Sequence, residues 1–440
     1  MKNQQKIYVI GLLTFILTLS VSGQSYFSGL GLTQNNGYDA RSSSMGLSRT
    51  ALDQGAWSVT GNPAHLASSN GLNLSISLLL KQINETRSIP AIDQFNDVVT
   101  KNVYAANNNT NSHYAFAVDY GFEKFAIAYA WAPVHDFSYA YSEEIRNSFS
   151  SSYYNRDLIA GYHTYEMNGQ IYGHYLGFAS TFKGLSMGVG LVNYAAKDLS
   201  ILKAVSVLSV DDALASDTSY SHLSSYSIDE AGMGFNIGLT YNITPHTALH
   251  YVFDKAGDLS IDTDGLIPFA DSTKRYPEYL QSDSSLVYTI STPAVHRMGI
   301  SFSPGQKQKT IASFEMEFHA GQSISYSDSM NGTDSFDYQL DNYAVFHVGL
   351  EHWASPTLPL RIGFSYEESP IDKALSVTRF TVGGSLIVKH FQFDLGGDIS
   401  SLGYTYPDIF PKASRATNPD LESINESVLN LYLTASYRLP

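Results

Sequence analysis

The stretch MGFNIGLTYNI, residues 233–243, alternates without a break. Met233, Phe235, Ile237, Leu239, Tyr241 and Ile243 point one way, and Gly234, Asn236, Gly238, Thr240 and Asn242 point the other. A period of two over this length marks an extended strand with one greasy face and one small or polar face. Residues 72–80 repeat the pattern, with Leu72, Leu74, Ile76, Leu78 and Leu80 over Asn73, Ser75 and Ser77. Soluble sandwiches and membrane barrels both use such strands, so the number and spacing of the segments must choose between them.

Working outward, comparable segments fall near 72–81, 113–120, 124–132, 171–182, 185–194, 232–243, 246–254, 295–303, 309–318, 343–352, 360–367, 379–388, 391–399 and 428–438. That is an even number, about 14, each near the ~9–11 residues a tilted membrane strand requires. The connections alternate in length. Short ones are 121–123, Lys183-Gly184, Thr244-Pro245, 304–308, 353–359 and Lys389-His390; long ones are 82–111, 133–170, 195–231, 255–294, 319–342, 368–378 and 400–427. Short turns at one end and long loops at the other are the habit of outer-membrane barrels. The expected fold is therefore all-β, a transmembrane antiparallel β-barrel occupying residues 71–440. Register adds a finer expectation. Turn 304–308 sets Arg297 opposite Glu315, and turn 353–359 sets Glu351 opposite Arg361, both pairs on the inward face.

Composition agrees. The chain has 31 Tyr and 23 Phe with only 15% charged residues, which suits a protein meeting a lipid interface. A formal charge of −15 disfavours nucleic acid as a partner, since phosphate binding needs a basic surface. Lys2 and Lys6, the apolar run Ile7 to Leu19, and Val21 and Gly23 before Gln24 read as a secretory signal peptide over residues 1–23. The run is too short to span a membrane as a helix. With no Cys, neither disulfides nor thiolate metal sites are available.

Residues 24–70 do not alternate, yet Met45, Leu47, Ala51, Leu52, Trp57 and Val59 are too apolar for a free periplasmic tail. Within this segment the run from Arg41 through Met45 to Arg49, followed by Asn62, Pro63, Ala64, His65 and Leu66 just before the first strand, resembles the plug signature of the FadL-type transporters. That family takes up long-chain fatty acids and aromatic hydrocarbons. Leu360 to Tyr366 running into Ser369, Pro370 and Ile371 resembles the family's strand leading to an external Ser-Pro turn. The resemblance implies a 14-stranded barrel, an N-terminal hatch over residues 24–70 in its lumen, and diffusion of a hydrophobic ligand from a loop groove inward. In the family an inward kink of the third strand lets the ligand leave sideways. Residues 124–132 carry no Gly or Pro before Pro133, so a kink is not expected within them.

No Gly-x-Ser-x-Gly elbow, His-Glu-x-x-His helix or phosphate loop is present, so the protein is not expected to be an enzyme or to need a cofactor. Asp262, Asp264 and Gly265 lack the later carboxylate of a calcium loop and read as a solvated turn. The apolar residues of the long loops are more informative. Leu202, Val205, Leu208, Leu266, Ile267 and Phe269 are candidates for an external ligand groove. The expected function is passive uptake of a hydrophobic small molecule across the outer membrane. The other partners would be outer-membrane lipid, lipopolysaccharide and the barrel-assembly machinery. Two alternatives stay open: a binding or shuttle component of a type IX-like secretion system, whose outer-membrane partner protein resembles the same family, and a structural or adhesive barrel.

Overall fold

The computed structural model describes residues 37–88, 91–92, 95, 98–100, 103–146, 159–207, 220–268, 279–304, 309–328, 336–410 and 421–439. The leader and residues 24–36 lie outside them. Fourteen strands form the wall: β1 (Gly71–Ser88), β2 (Val103–Gly121), β3 (Phe125–Asp136), β4 (Ile159–Phe182), β5 (Leu185–Val207), β6 (Gly234–Thr244), β7 (Thr247–Lys255), β8 (Ala294–Phe302), β9 (Thr310–His319), β10 (Tyr343–Ser355), β11 (Leu358–Glu367), β12 (Val377–Val388), β13 (Phe391–Pro407) and β14 (Leu421–Leu439). Every neighbouring pair is antiparallel. β1 pairs with both β2 and β14, from Leu72↔Leu439 to Ser88↔Ser423, so the sheet closes on itself. Closure is what lipid demands, because hydrocarbon offers no partner to a free sheet edge.

Alternation sorts the side chains as the sequence indicates. Ile76, Val382 and Leu395 are 59%, 63% and 56% exposed, whereas Ser75, Asn236, Thr240 and Thr381 are buried on the inner face. Outward residues of β1 stay apolar from Leu72 to Leu80 and become polar at Gln82, Asn84 and Thr86. At about 3.3 Å per residue and a tilt near 40°, that apolar stretch spans about 20 Å, most of the ~25 Å band of an outer-membrane barrel. Two-residue turns need special backbone: Lys183 and Gly184 both have positive φ, 50° and 83°. Such a turn matches the twist of β4 and β5, and its second position suits Gly, which has no side chain to clash.

Much of what reads as long loop is strand. β1, β2, β4, β5, β13 and β14 all run well past the apolar belt, and further segments (Tyr139–Arg146, Tyr220–Ala231, Leu259–Pro268, Tyr279–Ile290, Ser323–Asp328 and Phe336–Gln339) continue the wall beyond short breaks. Beyond the membrane both faces of a strand are wet. Hydropathy then stops alternating while the backbone stays extended, which is why the pattern ended early in the sequence. Asp262 and Asp264 belong to one such extension, paired with Val287 and Ser285, rather than to a turn.

One expected register is corrected. Arg297 faces Glu317, and Glu315 faces Gly299, a slip of two residues from the expected pairing. The ladder starts at Phe302↔Ala312 rather than nearer the turn. Pro304 has no N–H to give to the ladder and Gly305 follows it, so the connection is wider than the alternation suggested. A slip of two preserves the face, so Arg297, Glu315 and Glu317 are all inward and buried. The other register holds: Glu351 pairs with Arg361 and Leu350 with Ile362.

The belt has a direct test. Ile76→Arg, on the lipid face, should destabilise the barrel in vesicles by about 2–4 kcal/mol, while Asn84→Arg should cost about 1 kcal/mol or less. Equal costs in denaturant unfolding would place the membrane at another height.

Candidate functional site in the lumen

Residues 37–70 pack against inward-facing side chains on strands all round the wall. The short helix α1 (Ala40–Ser43) is capped by Asp39, whose carboxylate accepts the Ser42 N–H at 2.9 Å. Ala40 N donates to Thr434 Oγ1 of β14 at 2.9 Å, and Gly46 N to Thr381 Oγ1 of β12 at 2.9 Å. At Gly46, φ is 71°. A Cβ there would strike the backbone oxygens of Val348 and Phe364, and one on Gly363 would strike Gly46 N, so only glycine permits this approach. Trp57 Nε1 donates to Ser75 Oγ of β1 at 2.8 Å. Trp57, Val59 and Leu66 form a core with Ala115, Ala117, Ala126, Ala128, Ala130, Ala132 and Ala179. The inward columns of β2, β3 and β4 are small here because the segment supplies the bulk.

Asn62, Pro63 and Ala64 have a local reason and a distant one. Asn62 caps the 3-10 turn Pro63–Ser68, its Oδ1 accepting Ala64 N at 3.1 Å, and Pro63 occupies the first helical position, where a missing N–H costs nothing. The Asn62 amide also donates to Thr50 O at 3.0 Å and to Thr240 Oγ1 of β6 at 3.2 Å. Pro63 and Ala64 lie directly against Gly188 of β5 and Gly238 of β6.

Charges do the rest. Glu351 receives Arg41 at 3.0 Å and 3.1 Å, Arg361 at 2.6 Å, and the Trp353 indole N–H at 3.2 Å. Arg361 also donates to Asp394 at 2.8 Å and to Ser385 at 2.6 Å. Glu315 accepts the backbone N–H groups of Arg49, Thr50 and Ala51 at 3.2, 2.9 and 3.1 Å, and the Ser48 hydroxyl. Glu317 gathers Arg49 at 3.5 Å, Arg297 at 3.8 Å, His319 at 3.0 Å and His347 at 3.4 Å. Arg297 reaches Asp254 as well, and donates to Gly61 O at 3.3 Å. Arg41 and Arg49, the two ends of the motif, are thus the segment's charged links to wall carboxylates. The sequence reading quoted both without giving them partners, and it missed Asp254, Glu317, His319 and His347. Inward parity was the available signal for all the wall residues among these.

Above the segment lies a cavity of ≈ 150 Å³. Ile83, Leu375, Val377, Leu402 and Val428 give it apolar walls, and Lys81, Arg379, Glu367 and Glu426 a charged rim. Arg379 is paired with Glu367 at 2.6 Å. Ser369, Pro370 and Ile371, the external Ser-Pro turn, form part of the lining, held by Asp341 N donating to Pro370 O at 3.0 Å. Lys81 and Arg379 are further residues that inward parity could have found.

The external apolar candidates are only partly placed. Leu208 and Phe269 lie outside the described residues. Leu202 and Val205 sit on the outer part of β5, paired with Leu223 and Tyr220; Leu266 and Ile267 pair with Gln281 and Leu280. The strand Tyr220–Ala231 joins β5 to the strand carrying Leu266 and Ile267, so these residues share one sheet extension instead of two separate loops.

The third strand does bend. Eight consecutive residues, Ala132 to Tyr139, are buried where alternation would expose every second one. The β3–β4 register shifts between Pro133 and His135, and the ladder between β2 and β3 ends at Phe116↔Trp131. Pro133 lies one residue beyond the alternating stretch 124–132.

No family model matches this chain, and no curated protein does. Solved structures do match in fold. A FadL homologue of Pseudomonas aeruginosa aligns over 91% of this chain and 98% of its own, at 10% identity and TM-score 0.62. The P. putida toluene transporter TodX aligns over 92% and 99%, at 14% identity and TM-score 0.57. The Ralstonia pickettii toluene transporter TbuX aligns over 92% and 99%, at 16% identity and TM-score 0.54. This chain therefore has the FadL-type barrel fold.

Breaking one partner of a buried ion pair strands the other. Glu351→Gln should cost about 3–5 kcal/mol, because Arg41 loses its carboxylate and Arg361 keeps only Asp394. Denaturant unfolding measures the loss, and earlier protease cleavage within residues 37–70 would locate it. An unchanged unfolding midpoint would show that the pair carries no stability.

Proposed function

We propose that the protein is an outer-membrane channel for passive uptake of hydrophobic compounds, with a long-chain carboxylic acid or a similar amphiphile as the best-fitting ligand. The observation that supports this reading is the cavity, lined by the apolar Ile83, Leu375, Val377, Leu402 and Val428 and carrying Lys81 beside the Arg379–Glu367 pair, Glu368 and Glu426. A water-filled porin needs the reverse, an open and polar bore. An apolar solute crossing the polar lipopolysaccharide layer gains from greasy surface along its path, and a carboxylate head gains from a fixed cation at one end. The fold neighbours include a FadL homologue and toluene transporters, which fits.

In this reading residues 24–70 act as a hatch. Leu202, Val205, Leu208, Leu266, Ile267 and Phe269 make first contact with the ligand at the external end, where the protein also meets lipopolysaccharide. Insertion depends on the barrel-assembly machinery, as for any closed membrane sheet.

Binding and uptake of labelled oleate by the purified protein in vesicles tests the reading. Leu375→Asp should abolish saturable oleate binding while the barrel stays folded. Lys81→Met should weaken oleate binding roughly tenfold, the loss of one charge-assisted contact, and leave a neutral hydrocarbon such as toluene nearly unaffected. Undiminished oleate uptake by a folded Leu375→Asp barrel would rule the cavity out.

A further inference from the structure

We propose that the short-turn rim of the wall is a binding surface for anionic phospholipid headgroups; the proposal rests on the barrel sitting in a bilayer and is independent of what the lumen carries. The chain as a whole is acidic, with a formal charge of −15. Its short-turn end is not. Lys124 borders the turn between β2 and β3, Lys183 lies in the β4–β5 turn, and Lys309 closes the β8–β9 connection. Lys389 lies in the β12–β13 turn, and Arg438 stands near the end of β14. All five are exposed, and Glu123 is the one acid among the described residues of this rim. Among the described residues none of the five has an ion-pair partner within 4.0 Å.

Backbone geometry sets two of these lysines apart. Lys183 has φ of 50° and Lys389 of 57°, and Leu47 is the one other non-glycine with positive φ among the described residues. A side chain with a Cβ is strained there, and Asn, Asp or Gly is the usual occupant of such a turn. Lysine gives the turn nothing that Asn would not give better. What it adds is a charge on a long stem.

Neighbouring rings fix the height of that charge. Phe122, Phe125 and Phe178 stack in series, with centroids 4.4 Å and 5.7 Å apart, and Phe391 lies 4.6 Å from Tyr437. Aromatic residues gather in this way at the membrane–water interface. Phe182 is 64% exposed on the lipid face, and Lys183 Nζ sits 5.2 Å over its ring centroid. The ammonium is thereby held beside the girdle, at the level of headgroup phosphates.

Short turns of an outer-membrane barrel face the periplasm, and the leaflet on that side is phospholipid. Anionic headgroups attract lysine within a Debye length, about 10 Å at 0.1 M salt. An acidic protein partner would cover one arc of the rim. Here the cations stand at strands spread round the whole closed wall, which matches an annulus of lipid instead.

The full-length barrel in vesicles, probed with spin-labelled phosphatidylglycerol and phosphatidylcholine, reports the preference as the ratio of motionally restricted label. Wild type should favour phosphatidylglycerol by roughly threefold or more at low salt, and the preference should fade in 1 M salt, where the Debye length is about 3 Å. Lys183→Asn/Lys389→Asn should reduce the preference by about half. Its unfolding midpoint in phosphatidylcholine should stay the same or rise, because Asn takes positive φ more readily. Adding Lys124→Gln and Lys309→Gln should bring the two lipids near parity. A wild type without preference, or a folded double variant that keeps all of it, overturns the proposal. So does a midpoint that falls sharply in phosphatidylcholine, since the lysines would then serve the turns. A barrel that fails to insert into any vesicle overturns the membrane reading itself.

Discussion

The structure depends on how carboxylates buried inside a closed wall are satisfied. Lipid forces charges inward, and Glu315, Glu317 and Glu351 accordingly sit on the inner faces of β9 and β10, almost without exposure. A buried carboxylate left alone would destabilise the barrel by several kcal/mol. Residues 37–70 resolve this. Arg41 answers Glu351, Arg49 answers Glu317, and three successive backbone N–H groups answer Glu315. The segment has little regular structure of its own, and the wall carboxylates, of which Glu317 and Glu351 also meet wall cations, gain further partners from it. Each supplies what the other lacks.

Small residues make this exchange possible. The alanines on β2, β3 and β4 and the glycines at 188, 238, 349 and 363 clear space on the inner wall for Trp57, Leu66, Pro63 and Met45. The same alternation that marks lipid-facing residues therefore also records, on its other phase, where the lumen is filled and where it is not. Above the segment the inner face turns from Ala and Gly to Ile83, Val377 and Val428, and there a cavity remains.

Strand number, orientation and closure were legible from alternation and loop parity, since both follow from a two-sided wall in lipid. The inward face of Arg297, Glu315, Glu351 and Arg361 was legible for the same reason, and so was the Glu351–Arg361 pairing across a simple turn. The Arg297 partner was not, because the width of the turn at Pro304 is set by local geometry that a period of two does not encode. Strand length failed wherever the outer face is wet, as at Gln82 and Asn84. The bend in β3 follows from Pro133 and the bulge after it, one residue past the alternating stretch. What the sequence could not show is which distant wall residues Arg41, Arg49 and Asn62 meet, because their partners lie hundreds of residues away.

Hydrogen exchange at the amides of Arg49, Thr50 and Ala51 tests the central interaction most directly. These groups lie in a segment with little regular structure, and the Glu315 carboxylate is the acceptor that holds their N–H groups against exchange. Protection comparable to that of wall amides such as Leu350 and Ile362, lost in Glu315→Ala while the wall stays protected, is the expected result. Exchange in the native protein at the rate of an unstructured peptide, beside a protected wall, would contradict it.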